Sequence, residues 1–167
     1  KKKKKISNKT ISKKLAYKNL NQKVKKNIFP LIRRHLSTKE KNGTYTKWIL
    51  DLRVNDKILN YLNHPKLRVF SQKGPATPDH VIRIKPKPLI LKISDKKEEK
   101  LNNLIGKEIQ KFKNNYHKYF LKNKKYVIKP LELDLNPRLI LVPNLGIIGI
   151  GRTKKEASIV SDLAEST

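Results

Sequence analysis

The sequence predicts an α/β or α+β fold, a layered sheet with packed helices, and three features carry that expectation. Apolar residues recur at helical spacing over Leu101, Leu104, Ile105, Ile109, Phe112, Tyr116, Tyr119 and Phe120. Continuous apolar runs of strand length occur at Pro88–Ile93 and Arg138–Pro143. Strand-like and helix-like segments alternate along the chain, which argues for layers around a sheet. With 167 residues the default is one domain, and a domain of that size buries roughly 70% of its unfolded surface.

Residues 1–14 hold Lys1 to Lys5, Lys9, Lys13 and Lys14 with little to bury, so like-charge repulsion predicts a basic disordered arm. Residues 15–167 form the single predicted domain. A helix begins at Leu15 and carries Leu20, Val24, Ile28, Leu31 and Ile32 on one face, with Pro30 expected to bend or restart it because proline lacks an amide donor. Asn42-Gly43 signals a turn, Lys47 to Leu52 reads as a short strand, and Asn55 caps a helix carrying Ile58, Leu59 and Leu62 that His64-Pro65 ends. A second short helix, Lys66 to Gln72, is expected to bury Leu67 and Phe70.

The ten residues Gly74 to Arg83 contain two prolines, a glycine and several polar groups, which predicts a rigid loop. After the Pro88–Ile93 strand, the long amphipathic helix runs from about Lys96 to Leu121. The tail reads as a buried strand, a turn at Asn144-Leu145, a glycine-punctuated strand Gly146 to Gly151, and a helix from about Lys154 to Glu165. Thr153 with Glu156 has capping-box spacing, and Ala157, Val160, Leu163 and Ala164 are the inward positions of that helix.

The formal charge of +28 raises a nucleic-acid or anionic-membrane partner. Against nucleic acid stands the ratio of 34 Lys to 7 Arg, because base-edge and bidentate phosphate recognition favour the planar guanidinium. The joint excess of Lys, Asn and Ile fits the coding bias of an A/T-rich genome, so a solvated Lys surface is the preferred meaning and nucleic acid is disfavoured. The sequence contains no cysteine, which excludes disulfides and thiolate metal sites and fits a cytoplasmic protein. No apolar run reaches the roughly 20 residues of a membrane span, so no membrane partner is expected. Lacking methionine altogether and opening on Lys1, the sequence reads as a piece of a longer chain.

Three groups of residues could carry chemistry. Thr77, Asp79, His80 and Arg83 bring different polar groups to one predicted loop, where Arg83 could hold a phosphate or carboxylate and His80 could carry a proton. The competing and preferred reading makes Asp79 or Thr77 a cap, pairs Arg83 with an acid and satisfies buried backbone with His80. Gly146, Gly149 and Gly151 lie between a strand and a helix, where a phosphate could sit. Their spacing, Gly-x-x-Gly-x-Gly, departs from the dinucleotide fingerprint, and close packing of a second strand explains them better. The histidines, at 35, 64, 80 and 117, form no His-x-His or His-Glu-x-x-His pair, so no metal site and no catalytic residue is assigned, with His35 and His117 expected at the surface.

Two blocks, Leu67 to Lys85 (LRVFSQKGPATPDHVIRIK) and Asn136 to Thr167 (NPRLILVPNLGIIGIGRTKKEASIVSDLAEST), closely resemble the bifunctional class II aldolase/short-chain dehydrogenase family, whose members include rhamnulose-1-phosphate aldolase/alcohol dehydrogenases. The resemblance covers about residues 20–167. It implies a central segment between an aldolase domain and a dehydrogenase domain, both outside these residues, in an oxidoreductase of carbohydrate metabolism. It implies NAD(P) and a divalent metal for the parent but no cofactor in this segment. The implied partners are the adjoining aldolase and dehydrogenase domains, with a sugar substrate and a homo-oligomer both open. Class II aldolase domains look similar to the pattern of Asn144-Leu145-Gly146 followed by Thr153-Lys154-Lys155-Glu156-Ala157, so the segment is expected to be a degenerate aldolase-like half without metal ligands. The alternatives are a Lys-rich nucleic-acid-binding module and a nucleotide-binding domain built on Gly146 to Gly151.

Overall fold

The computed structural model describes residues 22–75, 77–93 and 97–166. The basic arm predicted for residues 1–14 lies outside them. The described residues form α1 (Gln22–Leu36), β1 (Ile49–Arg53), α2 (Asp56–Leu62), α3 (Leu67–Ser71), α4 (Pro78–Ile84), β2 (Leu89–Ile90), α5 (Glu98–Asn123), β3 (Leu139–Val142), β4 (Gly146–Gly151) and α6 (Lys154–Ser166). This is the layered α/β arrangement expected from the alternating pattern.

The four strands stand in the order β1-β4-β3-β2. β4 is antiparallel to both β1 and β3, and β2 runs parallel to β3 with α5 as the crossover between them. A tight turn joins β3 to β4: the Leu145 amide donates to the Val142 carbonyl at 3.0 Å, Pro143 fixes the first corner, and Asn144 takes φ 64° at the second. Proline followed by a residue tolerant of positive φ is what a type II turn requires. The Asn144 amide also donates to Asn63 Oδ1, which ties the turn to the end of α2.

Because strand side chains alternate, one sheet feeds two cores. Ile140, Val142, Ile148 and Ile150 pack with Ile28, Ile32, Leu101, Ile105 and Ile109 of α1 and α5. Leu139, Leu141 and Ile147 point the other way, toward Ile58, Leu62, Leu67, Ile84 and Val160 on the shorter helices and α6. The two long helices touch closely at Gly106, where an added Cβ would meet the His35 ring. His35, expected at the surface, is half-buried in this contact and bonded to Asn102 Oδ1 at 2.9 Å.

Several local expectations need correction. α1 passes through Pro30 without restarting; Lys26 and Pro30 are both exposed, so water can reach the carbonyl that proline leaves without a donor. Gly74 to Arg83 is not all loop, because Thr77 is extended and Pro78 opens α4 at the first helical turn, a position whose fixed φ suits proline. Phe70 is 42% exposed rather than buried, while Leu67 is buried as expected. At the far end, α6 starts where its capping box predicts: Thr153 Oγ1 accepts from the Glu156 amide at 3.1 Å, but the returning bond goes one residue further back, Glu156 Oε2 accepting from the Arg152 amide at 2.8 Å rather than from that of Thr153.

Candidate functional site

The main concavity opens on the face of the sheet covered by short helices. Its floor is Leu139, Leu141 and Ile147, its walls are Ile58 and Tyr61 of α2, Phe70 and Ser71 of α3, and Ile84 at the end of α4. The volume of about 540 Å³ lies in the range of small-molecule sites. Lys57, Lys73 and Glu165 stand exposed at its margin, and burial raises the Tyr61 hydroxyl above the usual phenol value. Ser71 Oγ is buried and, among the described residues, makes no hydrogen bond. The surface is chiefly apolar, suited to packing against an apolar body.

Immediately beyond α4, the chain makes its most unusual local arrangement at Lys85. Its φ of 65° is rare for a non-glycine residue, and its side chain is buried to 1% exposure. The Lys85 ammonium lies 3.7 Å from the centre of the Tyr116 ring and donates to the Asp134 carbonyl oxygen. Burial lowers its pKa to about 8; Asp134 and Glu132 oppose that shift and Arg138 adds to it. The same burial raises Tyr116, helped by Glu132 and Asp134. Arg138 pairs with Asp134 and also lies 5.0 Å from the Trp48 ring, whose other neighbour is Arg152 at 4.3 Å. Trp48 Nε1 and Asn136 Nδ2 both donate to the Leu36 carbonyl, closing the C-terminus of α1. These contacts fasten α5, the end of α4 and the 132–138 segment together, and Asn136 Oδ1 is buried with no hydrogen-bond partner among the described residues.

The residues singled out by sequence are only partly gathered. Thr77 Oγ1 and His80 Nδ1 meet at 2.6 Å across the first turn of α4. Arg83 is exposed further along the same helix, and the Asp79 side chain lies outside the described residues. None of Thr77, His80 and Arg83 lines the cleft; the predicted loop reaches it through Gly74 and Pro75, and Ile84, the next residue after that loop, lines it too. Gly146, Gly149 and Gly151 are all within buried β4. A Cβ on Gly149 would collide with the Ala157 carbonyl and Ser161 Oγ, and one on Gly151 with the Ala157 amide, so α6 occupies the space beside both. Gly146, at φ 146°, approaches the Arg53 carbonyl.

Each histidine has a partner on its own patch of structure: His35 with Asn102, His64 Nδ1 with the Lys66 amide, His80 with Thr77, and His117 with Glu132. Among the described residues no group of three His, Cys, Asp or Glu side chains could hold a metal ion.

Residues 23–167 match the family described as aldolase class II, second domain. The chain belongs to that family. A related protein, the uncharacterized oxidoreductase YuxG of Bacillus subtilis (strain 168), is 30% identical over 128 residues, 75% of this chain and 17% of the relative. The chain therefore spans about a sixth of the length of the curated relative it matches. No solved structure matches. The mixed sheet with helices on both faces is consistent with a class II aldolase-like domain, and no helix among the described residues is long and apolar enough to cross a membrane.

Sequence reasoning missed Lys85, Tyr116 and the cleft. One lysine among 34 has no distinguishing mark; the only local signal is its place before Pro86, which biases it away from the helical region. The cleft draws on residues spread from Lys57 to Glu165, so no linear pattern announces it.

Proposed function

We propose that this second domain is a support module of a longer sugar-metabolising aldolase/short-chain dehydrogenase, with aldol cleavage and nicotinamide chemistry carried by neighbouring domains. The family match and the oxidoreductase relative support the class of parent. One observation carries the support role: the four histidines, the side chains best suited to metal and proton work, are each tied to a structural partner on a separate part of the fold. The parent's NAD(P) and divalent metal would bind outside this domain.

The interior is correspondingly devoted to cohesion. β4 keeps glycines where α6 must lie close, and the Lys85 cluster joins three segments through a buried cation and an aromatic ring. A sugar or sugar phosphate would meet this domain only at its margins, where the exposed Lys57, Lys73 and Arg83 offer charge.

The test is catalysis by the purified chain with added divalent metal, ketose phosphate and, separately, NAD(P)H with an aldehyde. The expected result is no cleavage and no nicotinamide oxidation above buffer. Turnover that survives repurification of the protein would end the support reading.

A further inference from the structure

Between α5 and β3 the chain displays an inverted polarity. Ile128 is 99% exposed, Leu131 82% and Tyr126 75%, with Val127 at 56% close by. In the same stretch Glu132 is half-buried against His117 at 2.9 Å, and Asp134 is half-buried against Arg138 while its carbonyl accepts from Lys85. The acids face the domain and the aliphatic side chains face away. The segment is held at its C-terminal end by those bonds, and a short 3-10 turn, Lys124–Tyr126, follows α5 at the other. Contiguous exposed apolar groups on a held segment are the mark of a surface that another body covers.

The surrounding charge narrows the occupant. Lys118, Lys122, Lys124, Lys125 and Lys129 are exposed around the apolar group, so the covering face must be acidic at its rim and apolar at its centre. A second copy of a chain with a net charge of +28 would place like charges together across this border. The chain matches only 17% of its oxidoreductase relative, so most of a protein of that kind lies in other domains. We infer that Tyr126 to Leu131 is the docking strip by which this domain seats on an acidic-rimmed face of another domain in the same polypeptide. This inference rests on the proposed membership of a longer enzyme.

Hydrogen exchange of the isolated chain and of the parent polypeptide tests it. Amides of Ile128 and Leu131 should exchange rapidly in the chain alone and about tenfold or more slowly in the parent, a ratio equivalent to about 1.4 kcal/mol. The double variant Ile128→Asp, Leu131→Asp should leave the melting temperature of the isolated chain unchanged, since both side chains are exposed, and should abolish the protection in the parent. Equal exchange in the two contexts overturns the docking strip while leaving the support reading intact. A gene that ends with this domain overturns both. Concentration-dependent dimers of the isolated chain, or its capture by phosphatidylglycerol vesicles, lost in either case in the double variant, would assign the strip to a different occupant and overturn the inference.

Discussion

The two faces of the sheet differ in how they are closed. On one, the long α1 and α5 lie over Ile140, Val142, Ile148 and Ile150, all buried, and the contact is continuous from Val24 to Ile109. On the other, α6 presses tightly on β4 at its glycines, but the region above Leu139 and Leu141 is covered only by the short helices and the end of α6 and stays open as the cleft. Adjacent residues of the same strand therefore face a finished core and an unfinished one. Cohesion is thus concentrated on one face: the first holds the domain together, and the second, like the strip after α5, leaves apolar surface open.

Truncating neighbours on β4 would break that comparison first. Ile148→Ala, on the closed face, should cost about 4 kcal/mol, whereas Ile147→Ala, beside the cleft, should cost about 2, because the open side can relax or hydrate the space. Urea denaturation of both variants measures it, and equal losses would mean that the cleft face is as tightly closed as the other.

Lys85 gives the next largest effect, through pH. Its folded pKa of about 8 lies below the ordinary 10.5, so below about pH 8 the fold bears the full penalty of a buried charge, about 3 kcal/mol. Between about pH 8 and 10.5 the folded state has lost the proton that the unfolded state keeps, and stability rises with pH. Relative to the wild type, Lys85→Met should flatten that rise, as read from denaturation midpoints across the window. Parallel curves for the two proteins would show that Lys85 is not held in its buried site.

Gly149→Ala sharpens the α6 side of the comparison. Its Cβ would meet helix backbone, which cannot rotate away, so a loss of about 2 kcal/mol is expected. A variant as stable as the parent sequence would place α6 further from the sheet than described. The same substitution leaves no reason for a nucleotide effect, since the space beside the glycine is occupied by Ala157 and Ser161.

Legibility in the sequence followed the range of the forces involved. The β3-turn-β4-α6 unit was readable because its signals are local: the apolar run, Pro143-Asn144, and Thr153 with Glu156 three residues on. α5 was readable from its periodicity, although it runs from Glu98 to Asn123, slightly later than its pattern suggested. α4 was misread as loop because two prolines and a glycine obscured an ordinary start with Pro78 in the first turn. Lys85 and the exposed strip escaped notice for a different reason. Burial of a lysine against Tyr116 and exposure of Ile128 are set by contacts many residues apart, and an aliphatic residue reads as core until its surroundings are known. Sequence also grouped Thr77, Asp79, His80 and Arg83 by proximity along the chain, whereas a helix turns Arg83 into solvent and leaves Thr77 bonded to His80.

A domain that supports chemistry performed elsewhere needs no metal centre of its own, so metal retention decides between the support role and an independent one. Purified chain equilibrated with zinc or manganese, passed through a desalting column and analysed by elemental mass spectrometry should retain only substoichiometric metal. A single ion retained per chain and lost on substitution of any of its histidines would show that the domain holds a metal centre of its own, contradicting the account.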